Sequence, residues 1–160
     1  VIKVLFVDDE PNVLNGIRRT LLNFPDRIEA SFAASGDDAL LVMEQNQAEV
    51  IVTDIAMPGL DGRALIIELY KRYPDVVPIV LSGHWSNSIA MSELGSSVQF
   101  LAKPVKSKQL LDAIFSAAQA ARLVSAPLAI AAPRSDGEGA ASIRSDTIDW
   151  VNSTSEWQTS

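Results

Sequence analysis

Ile2–Glu10 reads IKVLFVDDE, and Glu49–Asp54 reads EVIVTD. Each is a short, nearly unbroken apolar run that stops on aspartate. Runs of this length, rich in Val, Ile and Phe, read as strands covered on both faces. The periodicity then changes. After the first run, Val13, Leu14, Ile17, Leu21 and Leu22 fall at helical spacing within Glu10–Leu22. Pro11 suits the first turn of that helix and Asp9 its N-cap. After the second run, Met57-Pro58-Gly59-Leu60-Asp61-Gly62 reads as a turn, followed by a helix to about Tyr73 that Pro74 stops.

The alternation continues along the chain. Arg27–Ala33, Val76–Leu81 and Val98–Ala102 read as further strands. Ser35 caps a helix running to about Asn46, a weaker helix is expected over Trp85–Leu94 with Gly95 ending it, and a last helix runs from Ser107 to about Val124. Five such β–α units imply an α/β fold with a doubly wound, five-stranded parallel sheet. Right-handed crossovers leave few topologies, of which the strand order 2-1-3-4-5 is the expected one. That order sets the first and third strands side by side at the switch point, where ligands bind.

Composition limits the function. Hydrophobic residues make up 48% of the chain, enough for the core of a domain of roughly 120 residues. Ala126–Ala141 is rich in Ala, Pro, Gly and Ser, and Ser142–Ser160 is polar apart from Trp150 and Trp157. Residues 1–124 are therefore expected to form the domain, and 125–160 a linker or tail, flexible or partly ordered. The net charge of −7 disfavours binding to nucleic acid or to an anionic membrane surface. The chain lacks cysteine and has a single histidine, His84, which argues against thiolate or His-rich zinc sites and against a conventional Ser–His–Asp hydrolase. No apolar run approaches the roughly 20 residues needed to span a bilayer, and no signal peptide is visible. A cytoplasmic location is the expectation.

Asp8, Asp9 and Asp54 lie at the ends of the first and third strands. With those strands adjacent, three carboxylates converge on one crevice. Such crowding opposes stability unless a cation resolves it, and carboxylate oxygens with water suit Mg²⁺. The plainer reading leaves Asp9 and Glu10 capping the first helix and Asp54 as a turn residue. Ser82 and Lys103 end the fourth and fifth strands and point toward the same edge. The hydroxyl can bond a phosphoryl oxygen and the ammonium can face a carboxylate or phosphate. Singly, Ser82 could be a helix cap and Lys103 a solvated lysine.

Taken together, Val4–Pro11 (VLFVDDEP), Val52–Gly62 (VTDIAMPGLDG), Ile79–His84 (IVLSGH) and Phe100–Pro104 (FLAKP) resemble the receiver domains of two-component response regulators, over about residues 2–124. The resemblance implies a flavodoxin-like (βα)5 fold similar to chemotaxis regulators. It implies that Asp54 accepts a phosphoryl group, and that Asp9, Asp54 and the Ala56 backbone carbonyl hold Mg²⁺, with Asp8 acting mainly through a bound water. Lys103 would contact the phosphoryl group and Ser82 would be the switch hydroxyl. Phe100 would take the place of the switch aromatic, and Lys103–Pro104 would be a cis peptide. The implied donor is a sensor histidine kinase or a phosphotransfer protein. The implied output surface, for an effector or a second copy, is the face of the fourth helix, fifth strand and last helix. Such a domain is a signalling phosphoprotein rather than an enzyme, catalysing only its own phosphotransfer and autodephosphorylation. It would control a partner or an output domain missing from this chain.

Some positions depart from the common pattern. Ser82 stands where threonine is commoner, Phe100 lacks the phenol hydroxyl of the usual tyrosine, and Ala56 replaces a larger polar residue. Ala56 and His84 would flank an acyl phosphate and tune its lifetime, although His84 reads more readily as a surface loop residue without a role. Three other functions compete. An unphosphorylated pseudo-receiver, a pure interaction module, would lack an acid or the lysine, and none is missing. An aspartyl phosphohydrolase of the haloacid-dehalogenase kind needs a second Asp two residues after its nucleophile, where this chain has Glu10 after Asp8. A flavin binder would meet repulsion between Asp8–Glu10 and the flavin phosphate.

Overall fold

The computed structural model describes residues 1–83, 94–95 and 98–125. The helix expected over Trp85–Leu94, His84, and the tail from residue 126 onward fall outside the described residues, except for Leu94 itself. The elements are β1 (Ile2–Val7), α1 (Pro11–Leu21), β2 (Ile28–Ala33), α2 (Gly36–Gln45), β3 (Val50–Asp54), α3 (Gly62–Arg72), β4 (Val77–Ser82), β5 (Gln99–Ala102) and α4 (Ser107–Ser125). All strand pairs are parallel, and the sheet order is β2-β1-β3-β4-β5, as the alternation predicts.

The apolar runs are explained by what covers them. Along β1, Val4 and Phe6 face a core shared with Leu14 and Ile17 of α1 and Leu110, Ile114 and Ala118 of α4. Leu5 and Val7 face the opposite core, against Ala39 and Met43 of α2 and Leu65 and Leu69 of α3. Every residue of β3 is buried, because β3 is central and covered on both faces. Fully burying a side chain such as Phe6 or Leu5 stabilises by about 1.5–3 kcal/mol. Alanines at 113, 117, 118 and 121 share the buried stripe of α4 with Leu110, Leu111 and Ile114. Their small side chains let this long helix lie close to the sheet.

The boundaries differ from expectation in small, explicable ways. Asp9 is not the cap of α1. The N-cap is Glu10, in extended conformation at φ −91° and ψ 108°, and no side chain caps the helix. Pro11 forces this, because a residue before proline is pushed out of the helical region. Ser35 does cap α2, accepting from Asp38 N–H. Asp61 caps α3 by accepting from Ala64 N–H at 2.8 Å. The last helix continues to Ser125, one residue past the expected domain boundary at 124. Among the described residues, no helix is long and apolar enough to cross a membrane.

Candidate functional site

Val7 of β1 pairs with Thr53 of β3. The next residue on each strand is an aspartate, so the register alone sets Asp8 level with Asp54. Both are buried, at 1% and 6% exposure, while Asp9 faces solvent. One carboxylate oxygen from each of Asp8, Asp9 and Asp54 lies within 4.8 Å of the other two. At an effective dielectric of about 20, two unit charges 4.8 Å apart repel by about 3.5 kcal/mol. A site with three such pairs calls for positive charge.

Lys103 supplies part of it. The β4–β5 register pairs Ser82 with Ala102, and Lys103 N–H donates to the Ser82 carbonyl at 2.9 Å. This carries Lys103 over the strand ends. Its Nζ donates to Asp8 Oδ2 at 2.8 Å and lies 3.1 Å from Asp54 Oδ2. Glu10 Oε1 is 3.9 Å away on the exposed side. Burial by itself lowers the Lys103 pKa, but hydrogen bonds to Asp8 and Asp54, reinforced by their charge, outweigh it and hold the ammonium above its ordinary range. Three carboxylates against one ammonium leave two negative charges, which a divalent cation matches. The donors are all oxygen, as Mg²⁺ or a similar hard cation requires.

The two buried acids differ in freedom. Asp8 Oδ1 accepts from Glu10 N–H at 2.9 Å and Oδ2 from Lys103, so both its oxygens have protein partners. Asp54 Oδ2 faces Lys103, while Oδ1 has a long 3.4 Å bond from Ala56 N–H. Asp54 therefore keeps the more available oxygen. Ser82 is the half-buried last residue of β4. Phe100, opposite Val80 in the register, is half-buried against Ile55, Ile66, Val80, Leu94 and Val98. The Lys103–Pro104 peptide is cis.

Asp8, Asp9, Asp54 and Lys103 thus meet at one edge, with the Ala56 backbone beside Asp54. Three neighbours escaped the sequence reading. Glu10 was not placed at the site itself, yet it extends the negative rim around Lys103. Thr53 looked like one more strand residue, but it is fully buried and its Oγ1 donates to the Asp54 carbonyl at 2.9 Å. Gly62 packs its Cα directly on the Asp54–Ile55 peptide. A lone hydroxyl directly after the apolar run Val50–Val52 was the available signal for Thr53.

Comparison with known proteins agrees with this geometry. The chain is 34% identical over 125 residues to the C4-dicarboxylate transport transcriptional regulatory protein DctD of Pseudomonas aeruginosa, covering 76% of this chain and 26% of that protein. It is 36% identical over 110 residues to the sensor kinase CckA of Brucella abortus, covering 67% of this chain and 11% of that protein. The chain therefore spans only a minor part of the length of these two relatives. A response regulator receiver domain protein from Clostridium thermocellum has a solved structure that superposes with a TM-score of 0.69 at 30% identity, over 78% of this chain and 99% of that one. Residues 4–115 match the family model described as the response regulator receiver domain. That stretch reaches into all five strands and takes in the acids and Lys103, and the chain belongs to the response regulator receiver family of two-component signalling.

Proposed function

We propose that this domain is a phosphorylation-driven switch whose phosphoacceptor is Asp54, working in the cytoplasm with a sensor histidine kinase or phosphotransfer protein as donor. The observation that carries this reading is the meeting of Asp8, Asp9 and Asp54 within 4.8 Å with Lys103 bridging the two buried acids. Asp9, Asp54 and the Ala56 carbonyl would hold Mg²⁺. Asp8, with both oxygens already bonded, would act on it through water. When bound, Mg²⁺ would neutralise charge on the phosphoryl oxygens.

The chain's own groups account for the rest. A carboxylate is a weak nucleophile toward phosphorus, so positioning and charge stabilisation dominate. An Asp54 oxygen attacks the phosphorus of a phosphohistidine. The new P–O bond forms as the P–N bond breaks, and the imidazole nitrogen keeps the bonding pair. Lys103 leaves its bond to Asp54 and faces the transferred group. The product is an acyl phosphate. Attack by water later returns the Asp54 carboxylate and inorganic phosphate. Ser82 would bond a phosphoryl oxygen, and Phe100 would turn further into the space vacated. The face altered would be that of β5 and α4, extended by the helix expected over 85–94. That face would serve an effector or a second copy. Residues 1–124 would carry these steps, with 125–160 as linker or tail.

Intact-mass analysis after acetyl phosphate tests the reading. Wild type should gain one phosphate only with Mg²⁺, and Asp54→Asn should gain none. Asp9→Ala should lose the response to Mg²⁺. A wild type that never gains mass would favour the pseudo-receiver, and labelling of Asp54→Asn would move the acceptor elsewhere.

A further inference from the structure

We infer that Thr53 and Gly62 are positioning residues that aim the Asp54 carboxylate by gripping its main-chain carbonyl. The inference rests on the reading of Asp54 as phosphoacceptor. Thr53 is fully buried in β3, where valine, of similar shape and equally at home in a strand, would need no hydrogen-bond partner. Its hydroxyl would cost stability if left unbonded. It donates to Asp54 O at 2.9 Å.

Gly62 approaches the same peptide from the other side. A Cβ built there would stand 2.1 Å from Asp54 O and 2.9 Å from Ile55 Cα. No residue but glycine can therefore start α3 at this distance. Gly62 N–H also donates to Ile55 O at 3.2 Å, and Ile55 N–H to Leu81 O at 3.2 Å. The Asp54–Ile55 peptide is thus held by the hydroxyl of β3, the first residue of α3 and the backbone of β4. The far end of the intervening loop is braced as well, since a Cβ on Gly36 of α2 would stand 2.4 Å from Leu60 O. Fixing this peptide fixes ψ of Asp54 and so the direction in which its side chain leaves the strand. In-line attack tolerates little misplacement, and errors near 1 Å can cost about a hundredfold in rate.

The decisive comparison is Thr53→Val, which keeps shape and loses the hydroxyl, against Thr53→Ser, which keeps the hydroxyl. The initial rate of acetyl phosphate labelling is followed by intact mass at saturating Mg²⁺ over a range of donor concentrations. Amide exchange at Ile55 and Ala56 is followed in metal-free protein. Thr53→Val should label about tenfold more slowly at saturation, with the donor concentration at half-maximal rate little changed, and with faster exchange at both amides. Thr53→Ser should restore rate and protection to near wild type. Equal rates for wild type and Thr53→Val would overturn the inference while leaving Asp54 as acceptor. Equal losses in Val and Ser would overturn it too, since the methyl group would then be what matters. An unlabelled wild type would remove both the phosphoacceptor reading and this inference. Gly62→Ala, if folded, should slow labelling at least as much as Thr53→Val, and a wild-type rate in it would also count against the inference.

Discussion

Lys103 Nζ donates to Asp8 Oδ2 at 2.8 Å, and the Lys103 side chain is only 18% exposed. This ion pair fixes the lysine on the acid that is already bonded to Glu10 N–H, and leaves its contact with Asp54 as the one that can be exchanged. On the proposed reading Asp8 would be the anchor and Asp54 the reactive partner, although both are buried carboxylates at the end of a strand.

Removing the lysine should therefore be costly in a particular way. Lys103→Met leaves Asp8 and Asp54 facing each other without a cation. Breaking a buried pair costs about 3–5 kcal/mol, and with the side chain partly exposed the expected loss is about 2–3 kcal/mol. Mg²⁺ should restore more stability to this variant than it adds to wild type. Urea melts of both proteins with and without Mg²⁺ check this. A variant as stable as wild type, or insensitive to Mg²⁺, would contradict the role given to Lys103.

The pH dependence follows from the raised pKa of Lys103. A cation whose folded pKa lies above its unfolded value stabilises fully below the unfolded value, and the contribution disappears as pH rises through the folded value. The stability difference between wild type and Lys103→Met should thus stay flat from neutral pH to just below the ordinary lysine pKa of 10.5, then shrink above it. Melts of the pair across that alkaline range measure the difference directly. A difference that shrinks already between pH 7 and 9 would contradict the raised pKa.

Ser82 and Phe100 should separate labelling from response. Ser82→Ala is expected to take phosphate on Asp54 but to respond less. With the beryllofluoride mimic, wild type should change its amide exchange across β5 and the first turns of α4, and Ser82→Ala should change less there. Turning Phe100 inward contributes up to about 1.5–3 kcal/mol, enough to bias two states a few kcal/mol apart. A response confined to residues 55–61 would sink the coupling between Ser82 and Phe100.

Cutting the chain after Ser125 should leave both fold and chemistry intact. The last buried residue of α4 is Ala121, and Leu123 and Val124 are exposed. The truncated protein should melt within about 0.5 kcal/mol of the full chain and label at the same rate. Loss of the thermal transition would place residues beyond 125 in the domain.

How much of this was legible in the sequence can be judged residue by residue. The strand runs, their order and the convergence of Asp8, Asp9 and Asp54 followed from periodicity and crossover handedness. Both are local or near-universal rules. Lys103 and Ser82 were placed by the same logic, because a parallel sheet points all strand ends one way. The cap of α1 was misread because the proline effect on Glu10 outweighed the capping preference of Asp9. The partner of the Thr53 hydroxyl and the seat of Gly62 were out of reach for another reason. They depend on distances of a few ångström between a helix start and a strand peptide, and no spacing pattern encodes these.

Asp8 and Lys103 are 95 positions apart, and Lys103 follows a four-residue edge strand whose one strand neighbour in the sheet is β4. The lysine meets Asp54 only where β5 lies on β4 and β4 on β3. A nascent chain still short of residue 103, or one whose edge strand has come loose, presents carboxylates with no ammonium among them. Long-range parallel pairings of this kind are slow to form. On the reading of Asp54 as phosphoacceptor, the joining of the last strand and the charge balance of the site would be one and the same event.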